Sequence, residues 1–288
     1  VRIAIAEWVL KLLKIINTFS LQMNWKSVMK IPLYQIDAFA SKVFSGNPAA
    51  VCPLKNWLSD KQMQSIAMEN NLAETAFFVK QNDHYQLRWF TPRVEVDLCG
   101  HATLASGFVI FNYLDPGANS VSFQTKSGTL VVRRDGDLLA MDFPARKAKP
   151  HLIDFEIFKK ALGVFPQEIL FSRDFLVVFE SEQVVRSLEP DMNLLMNLDG
   201  LGAIVTAPGN KSDFVSRFFA PKVGVPEDPV TGSAHCTLIP YWSEKLGKKE
   251  LHAFQVSPRG GELFCENLGK RVKIAGNAVR YSEGFLYL

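Results

Sequence analysis

The chain has 288 residues, 48% hydrophobic and 21% charged, enough for a sizeable buried core and without a low-complexity tract or Gly/Ser linker. Its net charge of +3 is concentrated at one end, where residues 1–30 hold Arg2, Lys11, Lys14, Lys26 and Lys30 against Glu7 alone. The remainder is close to neutral and lacks the basic surface that a nucleic-acid partner requires.

Residues 1–28 differ in character from the rest of the chain. Trp8, Leu12, Ile15, Ile16 and Phe19 recur at helical spacing, with Lys11 and Lys14 between them. The lysines break the apolar runs well short of the roughly 20 residues that cross a membrane, and no small-residue cleavage signature comes after them. Neither a membrane partner nor a secretory signal is therefore expected. A docking helix, a surface-binding amphipathic helix and an extension upstream of a start at Met29 all fit this segment. The extension is favoured, because Met29 directly precedes Lys30-Ile31-Pro32-Leu33-Tyr34, which reads as a first strand.

Ser59 with Gln62 three residues on is a capping-box pattern and predicts a helix to about Glu69. The segment Asn70-Asn71-Leu72-Ala73-Glu74 leads into β-prone runs at 75–79 and 86–90. Glu74 stands at the mouth of the first run; a glutamate there is ordinarily a solvated strand end, but beside an apolar strand it is also suited to proton transfer. Next comes Asp97-Leu98-Cys99-Gly100-His101-Ala102-Thr103. Gly100 permits close backbone approach and opens an apolar stretch to Leu114 that reads as a buried helix, whose first amides form a natural anion cradle. His101 lies in the first turn, where the helix dipole predicts a neutral imidazole; a lone histidine is otherwise more often structural. A hairpin is expected with Asp135-Gly136 at its turn, between strands 129–134 and 138–143.

The same order of motifs then returns. Arg88-Trp89-Phe90-Thr91-Pro92-Arg93-Val94-Glu95-Val96 matches Arg217-Phe218-Phe219-Ala220-Pro221-Lys222-Val223-Gly224-Val225 at an offset of 129, which also pairs Leu72-Ala73 with Leu201-Gly202 and Glu74 with Ala203. Gly100-His101-Ala102 meets Gly232-Ser233-Ala234 at an offset of 132, so the second copy carries three extra residues. The period is far too long for a solenoid and predicts two related lobes, 29–145 and 146–288, facing each other across a pseudo-twofold axis. Each would be a mixed sheet around one apolar helix, the second running from Gly232 to about Lys245 despite Pro240. In that arrangement Glu227-Asp228-Pro229-Val230-Thr231-Gly232-Ser233, which would also serve as a plain cap and turn, faces the loop carrying His101. Two helix N-termini would meet there, a suitable place for a substrate carboxylate.

These residues resemble a known family. Gly46-Asn47-Pro48-Ala49-Ala50-Val51, Glu74-Thr75-Ala76-Phe77, Arg88-Trp89-Phe90-Thr91-Pro92, Cys99-Gly100-His101-Ala102-Thr103 and Glu227-Asp228-Pro229-Val230-Thr231-Gly232-Ser233-Ala234 look like the phenazine-biosynthesis-like isomerase family. Ser233-Ala234-His235 is similar to its animal members, as are Leu246-Gly247-Lys248-Lys249-Glu250 and Arg259-Gly260-Gly261-Glu262-Leu263. The resemblance runs from residue 29 to the C-terminus. It implies an α+β, diaminopimelate-epimerase-like fold, a homodimer, and a proton-shuttling glutamate assisted by a histidine, an aspartate and a serine. By motif these are Glu74, His101, Asp228 and Ser233, with the backbone at Gly100, Ala102, Gly232 and Ala234 completing the carboxylate site. The family's best-known activity withdraws a proton from one ring carbon of a dihydro-hydroxyanthranilate and returns one at another.

Related epimerases and racemases use paired cysteines, each just before a helix-starting glycine. Cys99 precedes Gly100, but Thr231 precedes Gly232, and a hydroxyl cannot replace a thiol as base near neutral pH. Two-cysteine racemisation is disfavoured; an epimerase with Glu74 or Cys99 as single base, and a non-catalytic binding or regulatory protein, are the alternatives. The other cysteines, Cys52, Cys236 and Cys265, form no C-x-x-C pair, which fits reduced thiols in a cytoplasmic protein. No dinucleotide fingerprint, P-loop or metal-ligand cluster occurs, so no cofactor or metal is expected.

Overall fold

The capping box at Ser59 forms as its spacing predicts. In the computed structural model, which describes residues 29–288, the Ser59 hydroxyl accepts the Gln62 backbone N–H and the Gln62 side chain accepts that of Ser59, starting helix α1 (Asp60–Asn70). The reading of residues 1–28 lies outside the described residues. Residues 32–284 make up one unit; the described residues 29–31 and 285–288 belong to a second, in which Met29 and Leu288 exchange backbone hydrogen bonds.

The first half contains β1 (Lys30–Ala38), β2 (Asn47–Leu54), β3 (Glu74–Gln81), β4 (His84–Phe90), β5 (Glu95–Val96), helix α2 (Gly100–Val109), β6 (Ser120–Thr125), β7 (Gly128–Asp135) and β8 (Leu138–Pro144). After β9 (Lys149–Pro150) come α3 (Phe155–Leu162), β10 (Glu168–Phe171), β11 (Phe175–Val178), α4 (Glu182–Ser187), α5 (Met192–Met196), β12 (Ala203–Pro208), β13 (Phe214–Ala220) and β14 (Val225–Asp228). Helix α6 (Gly232–Leu246) and strands β15 (Glu250–Gln255), β16 (Gly261–Asn267), β17 (Arg271–Gly276) and β18 (Ala278–Tyr287) complete the chain. Helices and mixed sheet together make the expected α+β fold. Among the described residues no helix is long and apolar enough to cross a membrane.

Strand pairing states the repeat a second time. β1–β2 is antiparallel, β2–β3 parallel, β3–β4 and β4–β5 antiparallel, β4–β6 parallel, then β6–β7 and β7–β8 antiparallel. The same succession runs through β10–β11, β11–β12, β12–β13, β13–β14, β13–β15, β15–β16 and β16–β17. β8 and β17 join antiparallel, linking the two series.

Register also corrects the sequence alignment. Phe90 lies opposite Thr75, while its counterpart Phe219 lies opposite Ala203, so the structural partner of Glu74 is Gly202 rather than Ala203. A side chain at Gly202 would strike the Phe219 carbonyl, its Cβ only 2.6 Å away. The three extra residues also fall earlier than expected. Arg88 makes a two-point ion pair with Glu95 (2.8 and 3.0 Å), and Arg217 makes the same pair with Glu227 (2.7 and 3.0 Å), so Glu227, not Gly224, is the counterpart of Glu95.

Helices α2 and α6 sit inside their sheets, as apolar composition on every side requires. In α2 every residue from His101 to Gly107 is buried, and the buried hydroxyls of Thr103 and Ser106 are satisfied by the carbonyls of Cys99 and Ala102, one turn back. Beyond Val109 the helix continues as a π-helical turn, Ile110–Leu114. Pro240 is tolerated inside α6 because the carbonyl it would leave unpaired, that of Cys236, accepts the backbone N–H of Arg146 at 2.8 Å.

Candidate active site

Gly100 and Gly232 bring the two helix starts together. A Cβ built on Gly100 would lie 3.9 Å from the Gly232 Cα, and one built on Gly232 would lie 4.0 Å from the Gly100 Cα. A Cβ at either position would sit in van der Waals contact with the other glycine, so the two backbones approach closely here. Thr103 N–H bonds the Cys99 carbonyl and His235 N–H bonds that of Thr231, so the N–H groups of Gly100, His101, Ala102, Gly232, Ser233 and Ala234 precede the helical ladders. The side chains of Ala102 and Ala234 are fully buried, which leaves them only their backbone groups for binding.

Glu74 is the first residue of β3, just past the left-handed Asn71 that ends α1, and lies opposite Ala49 of β2. Its Oε2 is 3.1 Å from His101 Nε2, in the first turn of α2. The angles of this contact do not make a hydrogen bond, and among the described residues neither buried atom has a hydrogen-bond partner. On its other edge His101 Nδ1 meets Cys99 Sγ at 3.5 Å. Burial alone would push the imidazole's pKa down, but Cys99 and Glu74 beside it raise it well above its usual value. The Cys99 thiol is itself pushed up to about 11, by burial first and then by Glu74, so at neutral pH it is uncharged. The direction of the His101 shift runs against the neutral imidazole expected from the helix dipole. Glu74, Cys99 and His101 offer ligand atoms within 4.8 Å of one another, but Nδ1 faces the sulfur and Nε2 the carboxylate, so the three do not converge on one point for a metal.

Asp228 ends β14, and its pKa is raised from 3.8 to about 6, by burial first; His101 and the Thr231 hydrogen bond lower it, Glu74 raises it, and Asn47 lowers it. Asn47 Nδ2 donates to Asp228 Oδ1 at 2.7 Å and to the Val230 carbonyl at 2.9 Å, while Thr231 Oγ1 donates to Oδ2 at 2.6 Å. Gln255 of β15, fully buried, donates to the Asp228 carbonyl at 2.7 Å and accepts the Thr231 N–H at 2.8 Å. Thr231 thus spends its hydroxyl on Asp228 instead of capping α6. Asn47, Thr231 and Gln255 form a polar clamp on the aspartate, a role that sequence reasoning assigns to none of them. Asn47 stands within a family-like motif, and Thr231 occupies the place of a second cysteine. Gln255 gives no signal.

Ser233 is the second residue of α6 and its Oγ accepts a hydrogen bond from Arg173 at 3.0 Å. The structure thus gathers Glu74, His101 and Asp228 into one electrostatic cluster and ties Ser233 to it through the Gly100–Gly232 contact. An open groove of about 430 Å³ between Lys248 and Lys273 contains none of these residues.

A family model described as phenazine biosynthesis-like protein matches residues 36–284. The chain is 51% identical to an uncharacterized isomerase of Pseudomonas aeruginosa over 90% of its own length and 100% of that protein's. It is 44% identical to the human phenazine biosynthesis-like domain-containing protein, covering 90% of this chain and 99% of that one. The crystal structure of an Enterococcus faecalis phenazine biosynthesis protein of the same family superposes with a TM-score of 0.87 at 48% identity, covering 90% and 100% of the two chains.

Proposed function

The chain belongs to the phenazine biosynthesis-like family, and from that membership and the site geometry we propose that it is a cofactor-independent isomerase. It moves a proton on a small carboxylate-bearing substrate by general acid–base catalysis, in the space where α2 and α6 begin. The 3.1 Å approach of Glu74 to His101 carries this reading: a carboxyl and an imidazole stand together, and among the described residues neither atom has a hydrogen-bond partner.

Glu74 takes a proton from carbon, and the electron pair left behind delocalises toward the substrate's unsaturated or carboxylate group. The amides at Gly100, Ala102, Gly232 and Ala234, with Ser233, hold the carboxylate and lower the energy of the developing charge. Glu74 then returns the proton at a second carbon. His101 and Asp228 orient the substrate's polar groups. Asp228, with a pKa of about 6, carries a charge that changes close to neutral pH.

A single-base epimerase using Cys99 is the weaker alternative, because a thiol pushed up to about 11 is a poor base at neutral pH. Small carboxylates can be screened by thermal shift and each stabilising compound followed by proton NMR in deuterated water. Deuterium entering one carbon as the double-bond pattern changes supports the isomerase. Exchange at a single stereocentre with inversion favours the epimerase, and binding without exchange favours a non-catalytic binding protein.

A further inference from the structure

Arg173 carries no sequence motif, yet it reaches Ser233. It lies two residues before β11, and its guanidinium is held by the neighbouring Asp174, whose Oδ2 accepts Nε at 3.0 Å and Nη2 at 2.7 Å. Asp174 is 1% exposed and its Oδ1 has no hydrogen-bond partner among the described residues, so its buried charge is committed to the arginine. With that edge fixed, Nη2 also donates to Ser233 Oγ at 3.0 Å.

A guanidinium only donates, so Ser233 must accept in this contact. Its own O–H is thereby directed elsewhere, and among the described residues it meets no acceptor. Arg173 Nη1 is also uncommitted among the described residues, on a side chain one-third exposed. Two donors, the Ser233 O–H and Arg173 Nη1, therefore stand at the start of α6, with one of the two Ser233 lone pairs already taken by Arg173.

We infer that Arg173 is a positioning residue that turns the Ser233 O–H outward as a donor, so that this end of the site, with the guanidinium beside it, selects a carboxylate over its neutral amide isostere. This rests on the proposed role of Ser233 in binding the substrate carboxylate. A carboxylate offers lone pairs on both oxygens, whereas an amide presents an NH₂ donor to one of the two donors and loses that contact.

Benzoate and benzamide serve as probes, with both affinities measured by calorimetry in each protein. The ratio between them is read within one folded sample, so a general loss of stability does not move it. R173M alone would strand the buried Asp174 carboxylate; the R173M/D174N pair removes that charge as well. The parent should prefer benzoate by about tenfold or more, the usual worth of a charge-assisted hydrogen bond, and R173M/D174N and S233A should each bring the ratio close to one. A parent that discriminates beside an R173M/D174N protein that discriminates equally overturns the inference and leaves the carboxylate site standing. A parent that binds neither probe, or both alike, contradicts the carboxylate site itself and the inference with it.

Discussion

Asp228 bears a burial cost that its hydrogen bonds offset only in part. Its pKa is raised in the folded chain, so between about pH 3.8 and 6 the folded state binds more protons than the unfolded one and stability falls as pH rises through that window. Asp228→Asn cannot ionise and escapes this slope. Urea unfolding from pH 4 to 7 should show the variant gaining on the parent by up to roughly 2–3 kcal/mol; a difference that stays flat with pH would show that Asp228 ionises normally. Cys99 makes the opposite case: it is a buried thiol touching His101 with its pKa pushed up to about 11, and we propose it as packing and support rather than a base. Cys99→Ser should keep turnover within about tenfold of the parent, and a loss as deep as that of a Glu74 variant would restore cysteine chemistry. Glu74, His101 and Asp228 are legible in the sequence because each interrupts apolar residues within a short motif. The Asn47–Asp228 bond spans 181 residues and Arg173–Ser233 spans 60, so no local pattern can announce either.

At the scale of elements, the buried helices are readable from composition, but their closeness to the strands is not. Gly107 of α2 lies so near β7 that a Cβ there would stand 2.7 Å from Val132 Cγ1. Gly107→Ala should therefore cost about 1–3 kcal/mol through overpacking, although alanine is the better helix former, and thermal unfolding should show a lowered midpoint. A stabilised variant would mean that β7 yields freely. The repeat is legible in order but not in register. Matching letters place the insertion after Val225, whereas the Arg217–Glu227 ion pair places it before Glu227. Side-chain partnership across a sheet carries information that a linear offset lacks.

Across the whole molecule, one strand-pairing pattern occurs twice, and we propose the lobes 29–145 and 146–288 as its two copies. The candidate side-chain chemistry breaks that symmetry: Glu74 corresponds to Gly202, Asp228 to Val96 and His101 to Ser233. A duplicated frame thus presents two helix starts to one space, while each copy contributes different functional groups. We propose proton transfer by Glu74 as the central step, and Glu74→Gln keeps the side chain's shape while removing its ability to accept a proton. Deuterium incorporation from solvent into a ligand identified by screening, measured with that ligand's affinity for parent and variant, tests it directly. Binding should be retained while the exchange rate falls by roughly 10²–10⁴, the effect appearing in kcat more than in KM. Exchange by Glu74→Gln at close to the parent rate would contradict the mechanism.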